Sequence, residues 1–209
     1  MRQVAFIEME LLSETIFGGE SKTFGTADIE LQIDEAGFPF CAGRTLKGLI
    51  REEAEWYNRH LTDEKRLNRE LERLFGKTDA DNSDGIKFGD AKLSDALYDF
   101  VRREKIPAQR VSWALTELRS MTSIDDTGKA AKGTLRQVQV IKPGYVLYAP
   151  LFAAGELSEN ERMLLEKAVR LVRHAGLMRH RGKGEVRCRL HWHDMPGTGD
   201  EREPRAARY

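Results

Sequence analysis

Two short stretches of this 209-residue chain set cations beside glycines in patterns that suit phosphate. The first is GRTLKGLIR, residues 43–51. Lys47 and Arg51 stand four apart, so on a helix they stack one turn above the other on a single face. Gly43 and Gly48 permit close backbone approach, Arg44 adds a cation, and the free N–H groups of a helix beginning there attract anions. The GxxxxGK[ST] order of a P-loop is absent, so nucleotide hydrolysis is not implied. Spacing alone leaves two readings open, a phosphate cradle or a solvated lysine and arginine on an ordinary helix. The second stretch is RHRGKGE, residues 179–185. Arg179, Arg181 and Lys183 bracket Gly182 and Gly184 between a helical and a strand-like segment. Amides freed by glycine and flanked by cations suit a phosphodiester chain better than a base. The plain alternative is a basic chain reversal.

Other chemistry is sparse. Asp28 lies in an acidic strand beside a glycine loop (Gly18, Gly19), and a single carboxylate is not by itself a catalytic signature. No Ser/His/Asp or paired-carboxylate constellation is present. His191 and His193 share one side of a strand but lack a further ligand. The DADNSDG loop resembles a calcium loop only loosely, because its glycine comes one place late and Asp90 occupies the twelfth position. Cys41 and Cys188 have no CxxC neighbours, which predicts two free thiols rather than a disulfide framework or a thiolate zinc site.

The elements that must position these residues follow from periodicity. Ala5, Ile7, Met9 and Leu11 alternate with Phe6, Glu8 and Glu10, the period of a strand. Asp28–Ile33 alternates again, with residues 34–37 as the turn and Phe38–Phe40 as the return arm. Residues 44–61 carry an apolar stripe at Leu46, Leu49, Ile50, Ala54, Tyr57 and Leu61, which predicts a helix. A shorter helix is expected over 63–75, a strand over 86–93 and a short helix over 94–105. Residues 107–144 have a different texture and read as an insertion, a hairpin projecting from the core. Val138–Ile141 and Tyr145–Phe152 are strand-like. Ser158 with Glu161 predicts a capping box for a helix continuing to Gly176, and Val186–Trp192 forms a last strand.

Without insertions the order is strand, helix, strand, strand, helix, strand. This predicts an α+β, ferredoxin-like (RRM-like) core with an inserted thumb β-hairpin region and a helical insertion. One domain is expected over 1–193, with core 1–106 and 145–193 and a thumb-like insertion at 107–144. Residues 194–209 read as a disordered tail.

Composition narrows the class of function. Charged residues make up 33% of the chain and hydrophobic ones 40%, which allows a core under a charged surface. The longest uncharged apolar stretch, Tyr145–Ala154, is ten residues and contains Pro150, against the roughly 18–20 needed to cross a bilayer. Glu8 and Glu10 interrupt any signal-peptide core, so a cytoplasmic protein with no membrane association is expected. Net charge is zero, yet residues 5–35 hold eight acids and one base while residues 170–189 hold seven bases and one acid. That polarity suits a subunit that meets copies of itself, or a polyanion, on one side.

In this order the segments resemble the RAMP superfamily of CRISPR-associated proteins, and most of all the repeated backbone subunit of type III effector complexes, the Csm and Cmr kinds. The resemblance rests on FGGE (17–20), the Asp28 strand leading to Gly37, Pro39 and Gly43, the helix GRTLKGLIR, LFG (74–76) with IKFGDA (86–91), the insertion TSIDDTGKAAKGTLR (122–136) and RGKGEV (181–186). The helix begins Gly-Arg-Thr where many relatives have Gly-Ser-Ser.

The resemblance implies binding to a CRISPR guide RNA and complementary target RNA. It also implies a filament of further copies and contact with the other type III subunits: a large polymerase-like subunit, a small subunit and a guide-tag-capping RAMP subunit. It implies guide contacts from Gly18, Gly19, Gly43, Arg44, Lys47, Arg51, Arg179, Arg181 and Lys183. Thumb contacts are implied from Ser123, Lys129, Lys132 and Arg136. Asp28 matches the aspartate of cleaving members, a metal-dependent endoribonuclease residue with Mg2+ or Mn2+ as cofactor. The alternative is a non-cleaving structural subunit that only binds guide RNA and assembles the complex. A metal-independent, histidine-based guide-processing enzyme is disfavoured, since no histidine precedes His60.

Overall fold

A computed structural model describes residues 1–18, 29–61, 67–76, 85–122, 128–129 and 134–193. The alternation at the N-terminus forms β1 (Arg2–Leu11), with Ala5, Ile7, Met9 and Leu11 fully buried. The stripe that follows forms α1 (Gly43–Leu61) and buries Leu46, Ile50 and Ala54. After α2 (Asn68–Phe75) and the two-residue β2 (Lys87–Phe88) come α3 (Asp95–Arg103) and α4 (Ala108–Leu115). A hairpin of β3 (Thr116–Met121) and β4 (Arg136–Ile141) follows, in register from Thr116↔Ile141 to Met121↔Arg136. The described residues continue through β5 (Val146–Ala153), α5 (Glu159–Leu171), a single 3-10 turn at Arg179–Arg181 and β6 (Val186–Trp192).

The main sheet runs β2-β5-β1-β6, every neighbour antiparallel. β1, β2, β5 and β6 are thus the four strands of the ferredoxin-like pattern in the order second, third, first, fourth, with α1 and α5 as its two helices. Both helices pack on one face of the sheet and against each other. Their apolar residues join the inward residues of all four strands in one core.

Local chemistry sets several element ends. Ser158 Oγ accepts from the Glu161 amide at 3.3 Å while the Glu161 carboxylate accepts from the Ser158 amide at 2.7 Å, the reciprocal cap read from the sequence. Glu161 is buried, and Arg73 of α2 approaches its free oxygen at 3.1 Å, so the same carboxylate ties α2 to α5. Gly43 opens α1 where a Cβ would come within 2.2 Å of the Phe88 carbonyl, so only glycine lets the helix start against β2.

Four expectations change. The 28–33 alternation does not extend into a paired strand; its described residues make single bridges, Gly18↔Leu31, Ile29↔Val138 and Ile33↔Pro39. The strand expected over 86–93 pairs continuously only at Lys87–Phe88, then by bridges at Ala91 and Lys92. Pairing stops because Gly89 passes over Pro150, which has no amide to offer the ladder. Residues 108–115, read as part of the hairpin insertion, are helical and bury Val111, Ser112 and Leu115. Helix α5 ends at Leu171 rather than Gly176. The chain beyond it is drawn into hydrogen bonds with the loop after β1, where Leu177 N–H donates to the Ile16 carbonyl at 2.8 Å.

Candidate nucleic-acid interface

Three segments that are remote in sequence are laced together at one end of the sheet. The first is the loop after β1, residues 12–18. It is bonded along one side to the late glycine loop: Leu12 N–H donates to Glu185 O at 2.9 Å, Gly184 N–H to Glu14 O at 2.8 Å, and Glu185 N–H to Ser13 Oγ at 2.8 Å. On its other side it meets the root of the hairpin, where Ile141 N–H donates to Thr15 O at 2.8 Å and Thr15 N–H to Ile141 O at 3.2 Å. Ile29, the residue after Asp28 in the chain, bridges Val138 of β4, and Gln139 N–H donates to its carbonyl at 3.1 Å. Gly184 is required where it stands: its φ is +74°, and a Cβ would lie 2.1 Å from the Ala175 carbonyl.

Helix α1 borders this junction. Arg179 of the 3-10 turn lies close enough to Glu53 of α1 to act on its carboxyl, whose pKa is raised by burial and by Glu52 and is opposed by Arg179. Lys47 and Arg51 share one face of α1 as the spacing required, about 140° around the helix from Glu53. Burial and the nearby Arg51 cation hold the Lys47 ammonium below its ordinary pKa. Arg51 pairs with Glu55 at 2.7 Å, whereas Lys47 and the exposed Arg44 have no acidic partner among the described residues. Two like charges held on one face without a balancing carboxylate at Lys47 make a site that an anion would relieve. The amide of Gly43 is already capped by Asp90 Oδ1 at 2.9 Å, so attraction here comes from side chains more than from the first amide.

The late loop divides in two. Arg179 and Arg181 are exposed. Lys183 turns inward instead, with a side chain only 13% exposed and its ammonium on Glu14. Glu14 also holds Arg119 of β3, whose Nε lies 2.6 Å from Glu14 Oε1. Arg119 pairs with Glu117 at 2.6 Å as well. Burial raises the Glu14 pKa, but the hydrogen bonds from Lys183 and Arg119 outweigh it, and the carboxyl titrates below its ordinary range. This clamp joins loop, late turn and hairpin through one side chain. The sequence reading missed Glu14 and Arg119, since neither stands in a motif or at a distinguishing spacing.

Of the remaining expected contacts, Gly18 is exposed against Leu177, and Lys129 and Arg136 are exposed on the hairpin arm. Asp28, Gly19, Ser123 and Lys132 lie outside the described residues. The charge polarity read along the chain is partly cancelled in space. Register places Glu8 opposite Arg189 and Glu10 opposite Arg187, with ion pairs at 3.0 and 3.1 Å. Cys41 and Cys188 are both free, and burial pushes each thiol up to about 12. Among the described residues no three His, Cys, Asp or Glu side chains come together as a metal site, and no helix is long and apolar enough to cross a membrane.

A ferredoxin-like sheet with a hairpin rooted beside its glycine loops defines the class, and the chain belongs to the RAMP superfamily, whose family model matches residues 8–187. The fold is similar to a chain of the type III-B Cmr-beta complex bound to cognate target RNA, at TM-score 0.66 and 13% identity over 90% of this chain and 97% of that one. It is also similar to a chain of the same complex in the apo state (TM-score 0.64, 11% identity, 92% and 98% covered). A third similarity is to oligomeric Cmr4 from Pyrococcus furiosus (TM-score 0.55, 15% identity, 92% and 99% covered). No curated protein matches the sequence.

Proposed function

We propose that this chain is a CRISPR RNA-binding backbone subunit of a type III interference complex and that it cleaves complementary target RNA. In this reading Lys47, Arg51, Arg44, Arg179 and Arg181 hold guide backbone, and the β3–β4 hairpin is the thumb that splays the guide–target duplex. The observation that carries it is the lacing of the loop after β1, the late glycine loop and the hairpin root into one junction, with Arg179 and Arg181 exposed on the late loop. The partners proposed are guide and target RNA, further copies of this chain, and the large, small and guide-tag-capping subunits of such a complex, all in the cytoplasm. Similarity to chains from a target-bound complex and from an oligomer supports that choice.

Cleavage is assigned to Asp28. RNA carries its own nucleophile: the 2′-oxygen attacks the adjacent phosphorus as the bond to the 5′-oxygen breaks, leaving a 2′,3′-cyclic phosphate and a 5′-hydroxyl. The 2′-oxygen gives up one proton and the 5′-oxygen takes one, so a protein must mainly enforce in-line geometry. A hairpin held rigidly beside the bound strand suits that task. Mg2+ or Mn2+ belongs to the proposal, with Asp28 as its protein ligand; when bound it would supply charge stabilisation to the phosphoryl oxygens. Among the described residues no three His, Cys, Asp or Glu side chains come together to hold it.

The test assembles wild-type and Asp28→Ala protein with guide RNA and supplies labelled complementary RNA in Mg2+ or in EDTA. Regularly spaced cuts that disappear in the variant and in EDTA, with binding retained, are expected. Tight binding without cuts in the wild type would make the chain a scaffold, and cuts surviving Asp28→Ala would move the role to another residue.

A further inference from the structure

The main sheet has two faces, and the described helices account for one. Ala5, Ile7 and Met9, with Leu147, Ala149 and Leu151, point into the core beneath α1 and α5. Residues directly opposite across an antiparallel pair share a face, so the other side can be read from the register. One row there is Pro150, Phe6, His191 and the next is Lys92, Tyr148, Glu8, Arg189. Phe6 and Tyr148 are only partly buried and lie outside the core cluster. Their rings are 6.1 Å apart, and Phe6 stacks on His191 at 4.7 Å and 14°. Three adjacent strands thus carry a patch of aromatic rings on the side away from the helices.

Charge brackets the patch unevenly. On the β6 side Arg187 and Arg189 are matched by Glu10 and Glu8. On the β2 side Lys87 stands opposite Phe152 and is exposed, and Lys92 sits 5.8 Å over the Phe40 ring. Neither lysine has a carboxylate partner among the described residues. A protein partner is a poor fit, since stable protein interfaces bury about 800 Å² per side around a charge-depleted centre, and here a charged residue borders the rings. Rings that offer π-faces to any base, with unpaired cations along one edge, fit single-stranded nucleic acid.

We propose that this open sheet face is a second RNA-binding surface, separate from the α1 face, on which bases of a single-stranded segment stack against Phe6 and Tyr148 while Lys87 and Lys92 meet its phosphates. The inference does not depend on cleavage and extends the proposed guide binding to a second stretch of RNA.

Full-length protein is photocrosslinked to a single-stranded RNA carrying 4-thiouridine, and the adducts are mapped by mass spectrometry. Adducts on peptides containing Phe6 or Tyr148 are expected, and they should persist in Lys47→Glu/Arg51→Glu protein even as total binding falls. Phe6→Leu and Tyr148→Leu, which keep apolar bulk but lose the stacking face, should each weaken binding about tenfold. Should either variant fail to fold by circular dichroism, Lys87→Glu/Lys92→Glu replaces it, with weaker binding and a shallower salt dependence expected. Adducts confined to α1 and residues 179–185, or binding unchanged in folded variants, would overturn the proposal. So would loss of the sheet adducts in Lys47→Glu/Arg51→Glu protein, or protein–protein crosslinks that shield this face from RNA. Sheet adducts together with unchanged binding in Lys47→Glu/Arg51→Glu protein would support the sheet face while refuting the α1 reading.

Discussion

Glu14 and the two cations it holds are the most consequential side chains of the junction. A carboxylate whose folded pKa lies below its unfolded value contributes stability that is complete above the ordinary carboxylate range and is lost as pH falls through the folded pKa. Thermal melts of wild type should therefore lose stability below about pH 5 by a step that Glu14→Gln lacks, and at neutral pH Glu14→Gln should melt lower. Removing Arg119 tests the hairpin half of the clamp alone. In an assembled complex Arg119→Ala should lower target cleavage and leave guide affinity unchanged, read by cleavage assay beside a binding titration. Lys183 and Lys47 also separate cleanly. Because Lys183 faces Glu14, Lys183→Ala should reduce stability more than RNA affinity. Lys47→Ala should weaken RNA binding and reduce the slope of log affinity against log salt by about 0.7, the share of one single-strand phosphate contact.

At the scale of elements, Glu161 and Gly184 do different work from the same chemistry of unsatisfied backbone. Glu161 closes the capping box of α5 and carries the charge that meets Arg73. Glu161→Ala should cost about 1–3 kcal/mol by chemical denaturation, since a cap is lost and a paired, buried carboxylate is removed. Gly184→Ala forces a side chain into a left-handed backbone and against a carbonyl. It should cost about 1–2 kcal/mol from conformation alone, with the clash added, and should raise amide exchange in residues 12–18. Strongly periodic elements were legible in the sequence: β1, α1, α5 and β6 follow directly from their apolar spacing. The eight-residue α4 was not, because Val111 and Leu115 supply barely one helical repeat and Trp113 is exposed between them. The paired part of β2 was shorter than its alternation suggested because its partner strand carries Pro150.

Across the whole molecule, the strand order determines what the charges can do. Acids in residues 5–35 and bases in residues 170–189 suggest a polar subunit when counted along the chain. The β1–β6 pairing sets several of them face to face instead, so assembly driven by that polarity would have fewer free charges than the sequence implies. The cations on which the proposed RNA contacts rest are Arg44, Lys47 and Arg51 on α1, Arg179 and Arg181 at the junction, and Lys87 and Lys92 at the sheet edge. The sequence by itself determined β1, α1, α5 and β6 as elements and the placing of Lys47 and Arg51 on one helical face, because covalent spacing decides which side chains of one segment share a side. Only the tertiary structure decided that Glu14 would meet Arg119, 105 residues on, and Lys183, 169 residues on. Contacts between distant segments depend on strand register and on which faces the core buries, and no local period encodes either.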